Sequence, residues 1–138
     1  MARPVLLDTC AAIWLMNGDP ISTESRAAVT AAQIENRGIF VSPMTAWEIA
    51  TLAAKNRLQL TLSPEAWFNN LLALPGVRLA SMPPSVLMAS ASLPGTPPND
   101  PVDRIVAATS RAFGFLLMTR NGELMRYARA GHVQAVEC

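Results

Sequence analysis

Residues 5–14 read VLLDTCAAIW, and the way this stretch is parsed decides the fold. Val5, Leu6 and Leu7 run without alternation into an acid, Asp8, and a helix-compatible pattern begins at once. A short unbroken apolar run reads as a strand covered on both faces. Asp8 then stands at the carboxyl end of that strand, where open α/β sheets bind their ligands. The same punctuation recurs downstream. IFVS (39–42) is followed by Pro43 and a helical pattern carrying Glu48, and FLLMT (115–119) is followed by Arg120 and Asn121.

Working outward, the pattern predicts strands near 4–7, 39–42, 77–80, 115–119 and 132–137. It predicts helices near 9–16, 22–35, 43–56, 63–74, 84–92, 100–114 and 121–131. Ser42-Pro43 and Ser63-Pro64 are helix starts, with a hydroxyl cap and a proline at the first helical position. NGDP at 17–20 is a turn that contains Asp19, and PGTPPN at 94–99 is a loop rich in residues that cannot donate to a ladder. Strands alternating with helices predict an α/β fold, three layers deep around a short, mainly parallel sheet.

The chain has 138 residues, 51% of them hydrophobic and 15% charged. That describes one globular domain over 1–138 rather than a disordered tail. No apolar run approaches the roughly eighteen residues of a membrane span, and Asp8 interrupts the only apolar stretch near the start, against a signal peptide. Cys10 and Cys138 form no framework, which fits a reduced, cytoplasmic protein. The net charge of +1 excludes a simple electrostatic sponge for nucleic acid but leaves room for a local basic rim. Lys55 is the one lysine among 11 basic residues. Arginine suits phosphate because its fork binds two oxygens; a codon bias would produce the same excess.

Four aspartates occur, at 8, 19, 100 and 103. Asp19 belongs to its turn. Asp100 reads as the cap of the helix that Pro101 opens, a role that by itself accounts for it. Asp103 is short for the usual third-position partner of a capping box and sits among Val102, Ile105 and Val106, which favours a functional role. Carboxylates gathered by folding repel one another unless a cation lies among them. Oxygen-only donors favour Mg²⁺ or Mn²⁺, and a single histidine, His132, supports neither a zinc site nor a histidine-based triad. Trp47 and Trp67, at helical spacing among apolar neighbours, are expected in the core, and His132 at the surface or in packing.

LLDTCAAIW (6–14), VSPMTAWEIATLAAKNRLQL (41–60), NDPVDRIVAATS (99–110) and LLMTRN (116–121), in this order in a chain this short, resemble the PIN-domain ribonucleases, most closely the VapC toxins of bacterial type II toxin–antitoxin pairs. The resemblance implies a PIN-like α/β/α fold and Mg²⁺- or Mn²⁺-dependent endonucleolytic cleavage of RNA. It places Asp8, Glu48 and Asp103 at the family's acidic positions and Asp100 at an extra acid beside the last. Asp8 and Asp103 are then the expected metal ligands, with Glu48 and Asp100 also catalytic. Thr9, Arg104, Thr119, Arg120 and Asn121 form the expected substrate-binding set. Arg104 either meets phosphate or pairs with Asp100 or Asp103. Asn121 departs from the family, since many relatives carry Asp there; its carbonyl can still hold a cation-bound water, and Glu123 is close enough to compensate. The resemblance also implies a homodimer silenced by a cognate antitoxin protein, acting away from membranes. An aspartyl phosphatase is a rival that LLDT superficially suits, but Cys10 stands where a second Asp belongs. A catalytically weakened RNA- or protein-binding module is the other alternative, favoured by Asn121.

Overall fold

In the computed structural model, which describes residues 2–138, every expected element forms. The strands are β1 (Val5–Leu7), β2 (Ile39–Val41), β3 (Val77–Leu79), β4 (Leu116–Thr119) and β5 (Gln134–Glu137). The helices are α1 (Thr9–Asn17), α2 (Thr23–Ile34), α3 (Pro43–Ala54), α4 (Pro64–Leu72), α5 (Pro84–Ser90), α6 (Pro101–Phe113) and α7 (Gly122–Arg129).

Short polar side chains start the helices. Ser22, Ser42 and Ser63 accept from the backbone N–H of Ser25, Met44 and Ala66 respectively, filling donors that a first turn leaves free. Gly18 and Gly114 close α1 and α6 in the left-handed region, each at φ 68°. The expected boundaries shift by a residue or two where such devices act. The third helix ends at Ala54 rather than near 56, because Asn56 turns to φ 56°.

The sheet has five strands in the order β3-β2-β1-β4-β5, and each adjacent pair is parallel. Leu7 lies opposite Val41 on one side and Met118 on the other, so the carboxyl ends of β1, β2 and β4 are level. Strands of three or four residues suffice because both faces are covered. Val5, Leu7, Ile39, Val41 and Met118 pack against α1 to α4, through residues that include Ala12, Ile49, Trp67 and Leu71. On the other face Leu6 and Leu117 pack against Val102 and Val106 of α6 and Leu124 and Tyr127 of α7, with α5 laid on α6. Among the described residues no helix is long and apolar enough to cross a membrane.

The core differs from expectation at one tryptophan. Trp67 is buried, but Trp47 is 57% exposed on α3. Thr45 and Ile49 take the inward positions of that helix, which turns residue 47 outward.

Leu117 is fully buried and Met88 is 68% exposed. Leu117→Ala is therefore expected to lower the unfolding free energy by about 3 kcal/mol, and Met88→Ala to change it by less than about 0.5 kcal/mol. Equilibrium urea unfolding of both variants measures the contrast; equal effects would contradict this layering.

Candidate active site

A cleft of about 400 Å³ opens at the carboxyl edge of the sheet, and Asp8, Glu48, Asp100 and Asp103 all line it. Residues from distant parts of the chain meet there because β1, β2 and β4 are parallel and level. Asp8 continues β1 by one residue, its N–H donating to Met118 O at 3.1 Å. Its Oδ1 accepts from Ala11 N at 2.8 Å and so caps α1. Its Oδ2 accepts from the Thr119 hydroxyl. Burial pushes the Asp8 pKa up, and these two hydrogen bonds act against the rise.

Glu48 reaches the cleft from α3. The Thr9 hydroxyl donates to Glu48 Oε1, and Thr9 Oγ1 lies 3.1 Å from Thr45 Oγ1. Thr9 has one hydroxyl proton, committed to Glu48, so Thr45 is the donor to Thr9. A neutral relay thus aims the Glu48 carboxylate without supplying charge. Thr45 escaped the sequence reading, although a signal exists: it lies three residues before Glu48, on the same face of one helix.

Asp100 and Asp103 come from the start of α6. Asp100 Oδ2 accepts from Asp103 N at 3.0 Å, the cap expected of it, and the same carboxylate lines the cleft. Asp103 Oδ2 accepts from Asn121 Nδ2 at 3.3 Å. Asn121 Oδ1 accepts from Glu123 N at 2.9 Å and Leu124 N at 3.0 Å, capping α7. With its carbonyl engaged twice, Asn121 turns its amide donors toward the cleft. This corrects the expectation that the carbonyl would hold a cation-bound water.

Two expected site residues, Thr119 and Arg104, are not among those lining the cleft. Thr119, expected to bind substrate, is fully buried and accepts from Asn121 N at 3.0 Å while donating to Asp8, so its hydroxyl holds an acid. Arg104 does not line the cleft and makes no ion pair with Asp100 or Asp103 among the described residues. Its Nε donates to Pro98 O at 2.7 Å and its Nη1 to Ser90 O at 3.5 Å, because its long side chain folds back along the segment that precedes α6. Glu123 is not among the residues lining the cleft; it accepts from Asn99 N at 3.4 Å and lies 3.8 Å from Arg126. Arg120 does line the cleft, stacked on Trp14 at 3.9 Å and donating to Cys138 O at 2.6 Å. His132 stacks on Tyr127 at 4.7 Å, a packing role.

The acids are held by neutral donors, and among the described residues none of the four is in a salt bridge. The electrostatic consequence falls chiefly on Asp103. Burial, then the charges of Asp100, Glu48, Asp8 and Glu123, push its pKa up to about 7. Burial raises Glu48 too, with Asp100 and Asp8 adding to the rise. A pocket of oxygen donors with unmet negative charge is a chemical match for a hard divalent cation. Among the described residues no three His, Cys, Asp or Glu side chains stand close enough to enclose an ion.

The family model described as PIN domain matches residues 5–130. Ribonuclease VapC22 of Mycobacterium tuberculosis (strain ATCC 25618 / H37Rv) is 33% identical over 122 residues, 87% of this chain and 88% of that protein. Solved structures share the fold. VapBC2 from Rickettsia felis, bound to a promoter DNA fragment, superposes with a TM-score of 0.69 at 13% identity, covering 97% of this chain and 98% of that one. A toxin–antitoxin complex from Klebsiella pneumoniae gives 0.61 at 21% identity, covering 96% and 95%.

The raised pKa of Asp103 has a measurable sign. An acid whose folded pKa exceeds its unfolded value binds more protons folded than unfolded, so its contribution to stability is lost as pH rises. Without cation, the urea midpoint is expected to fall between about pH 4, the unfolded value, and about pH 7, the folded one. Asp103→Asn should flatten that fall and raise the midpoint above the window. An unchanged slope in the variant would remove Asp103 as the cause.

Proposed function

The chain belongs to the PIN-domain family, and on that premise we propose that it is a Mg²⁺- or Mn²⁺-dependent endoribonuclease, the toxin of a type II toxin–antitoxin pair. One observation carries the proposal: Asp8, Glu48, Asp100 and Asp103 face a single cleft with no cationic side chain paired to them among the described residues.

A divalent ion, when bound, supplies positive charge that offsets phosphate and favours ionisation of water. Asp8 and Asp103 are the residues that would hold it. Glu48, aimed by the Thr45–Thr9 relay, orients the attacking water and takes its proton. The water oxygen bonds to phosphorus, the bond from phosphorus to the leaving ribose oxygen breaks, and that oxygen takes up a proton from solvent water, while Glu48 returns its own to solvent. Arg120 stands at the cleft wall, where its charge meets a neighbouring phosphate. Thr9 serves through Glu48, and the Asn121 amide through Asp103.

RNA as substrate is supported by the relative named a ribonuclease, and a partner antitoxin by the complexes that share the fold. A homodimer acting in the cytoplasm completes the proposal; the exposed Trp47 on α3 offers apolar surface for assembly. Asn121 favours a second reading, a weakened binding module, because its carbonyl is committed to capping α7 and the position carries no charge.

Cleavage tests separate the two readings. Glu48→Gln is expected to slow RNA hydrolysis by roughly 10²–10⁴-fold, the usual contribution of a positioned base. Folded Asp8→Asn should lose cation-dependent cleavage, and chelation should silence the parent protein. Full-rate cleavage by Asp8→Asn, with its fold checked by circular dichroism, would end the catalytic assignment. RNA binding without cleavage at any Mg²⁺ or Mn²⁺ concentration would favour the binding module.

A further inference from the structure

The segment joining α5 to α6, ASLPGTPPND at 91–100, ends on the acid pair of the cleft, yet its own backbone does little to hold it. Pro94, Pro97 and Pro98 have no N–H to give. Among the described residues, none from 93 to 99 makes a backbone–backbone hydrogen bond. Side chains from α6 and α7 hold it instead. Arg104 donates from Nε to Pro98 O at 2.7 Å and from Nη1 to Ser90 O at 3.5 Å, tying both ends of the segment. The Tyr127 hydroxyl donates to Pro94 O at 2.5 Å. Gly95, at φ 69°, lies so close to His132 that a Cβ there would stand 2.3 Å from Nε2.

Arg104 has an evident alternative. It lies four residues after Asp100, a spacing at which an acid and a base pair readily on a helix. It takes the carbonyls instead. The choice leaves Asp100 and Asp103 without a countercharge and fixes the point at which the chain enters α6. From these two facts we infer that Arg104 is a positioning residue for the cation pocket. By clamping 91–100, with Tyr127 as a second strut, it sets Asp100 and Asp103 against Asp8 and Glu48. The inference rests on the cation-dependent reading of the cleft and assigns Arg104 no contact with RNA.

The test compares Arg104→Met, Arg104→Lys and Tyr127→Phe with the parent protein, and takes Arg78→Gln, an arginine on β3, as a control for lost charge. The cation-free proteins are followed by amide hydrogen exchange and titrated with Mn²⁺ alone; RNA cleavage is then measured across Mn²⁺ concentrations. In Arg104→Met the Asp103 amide, which donates to Asp100, should exchange faster, and Mn²⁺ affinity should fall on the order of tenfold, as for supports of metal ligands elsewhere. KM for RNA should hold while kcat falls at limiting Mn²⁺ and recovers when Mn²⁺ is raised. Arg104→Lys, which keeps one donor for Pro98 O, should recover part of the loss. Tyr127→Phe should shift the same quantities in the same direction, and it carries the test if Arg104→Met does not fold. Unchanged exchange and Mn²⁺ affinity in these variants would overturn the inference. So would a salt-dependent rise in KM with Mn²⁺ affinity intact, which would make Arg104 a phosphate contact. If the parent protein binds no Mn²⁺, the cation reading fails and the inference with it, and the exchange data still report separately whether Arg104 clamps the segment.

Discussion

Negative charge held in place by neutral donors is the constraint on which the rest of this structure depends. Thr119 and the Ala11 amide hold Asp8, Thr9 holds Glu48, and Asn121 holds Asp103. A hydrogen bond fixes the direction of a carboxylate and leaves its charge; an arginine or lysine in the same place would cancel it. Burial first, and then the repulsion that remains, raises the pKa values of Asp103 and Glu48. A folded protein tolerates such a cluster because the surrounding layers over-determine it, and an added cation would relieve it.

The sheet makes the cluster possible. Parallel strands place every carboxyl end on one edge, and the level register of Leu7, Val41 and Met118 brings Asp8, Ser42 and Thr119 to the same height. Helix starts then serve two purposes. Asp8 and Asp100 each cap a helix with a carboxylate that also lines the cleft, so the device that begins α1 or α6 aims an acid. The capping and functional readings of Asp100, posed as alternatives from sequence, are compatible in one geometry.

Arg104 and Arg120 show how far tertiary context separates residues of one type. Both flank the acids in the sequence. Arg120 sits over the Trp14 ring at the cleft wall. Arg104 bends away to the carbonyls of a proline-rich segment that can satisfy few of its own backbone groups. Asn121 makes a similar point, since its carbonyl serves the N-terminus of α7 before anything in the cleft.

The elements and their order were legible in the sequence because the signals are local. Unbroken apolar runs mark β1, β2 and β4; Ser-Pro pairs open α3 and α4; Gly114 closes α6. The acids at the strand ends followed from the same signals once the strands were taken as parallel. What each polar side chain bonds to was not legible. Thr45 joined the site through a hydroxyl contact across 36 positions of chain, Thr119 was drawn into the interior by Asp8, and Trp47 was turned out to solvent by the inward claims of Thr45 and Ile49. Secondary structure answers to neighbours within a turn or two, which a sequence displays directly. The partner of a hydroxyl, an amide or a guanidinium is decided by whichever group folding brings within about 3 Å, and only the tertiary structure makes that choice.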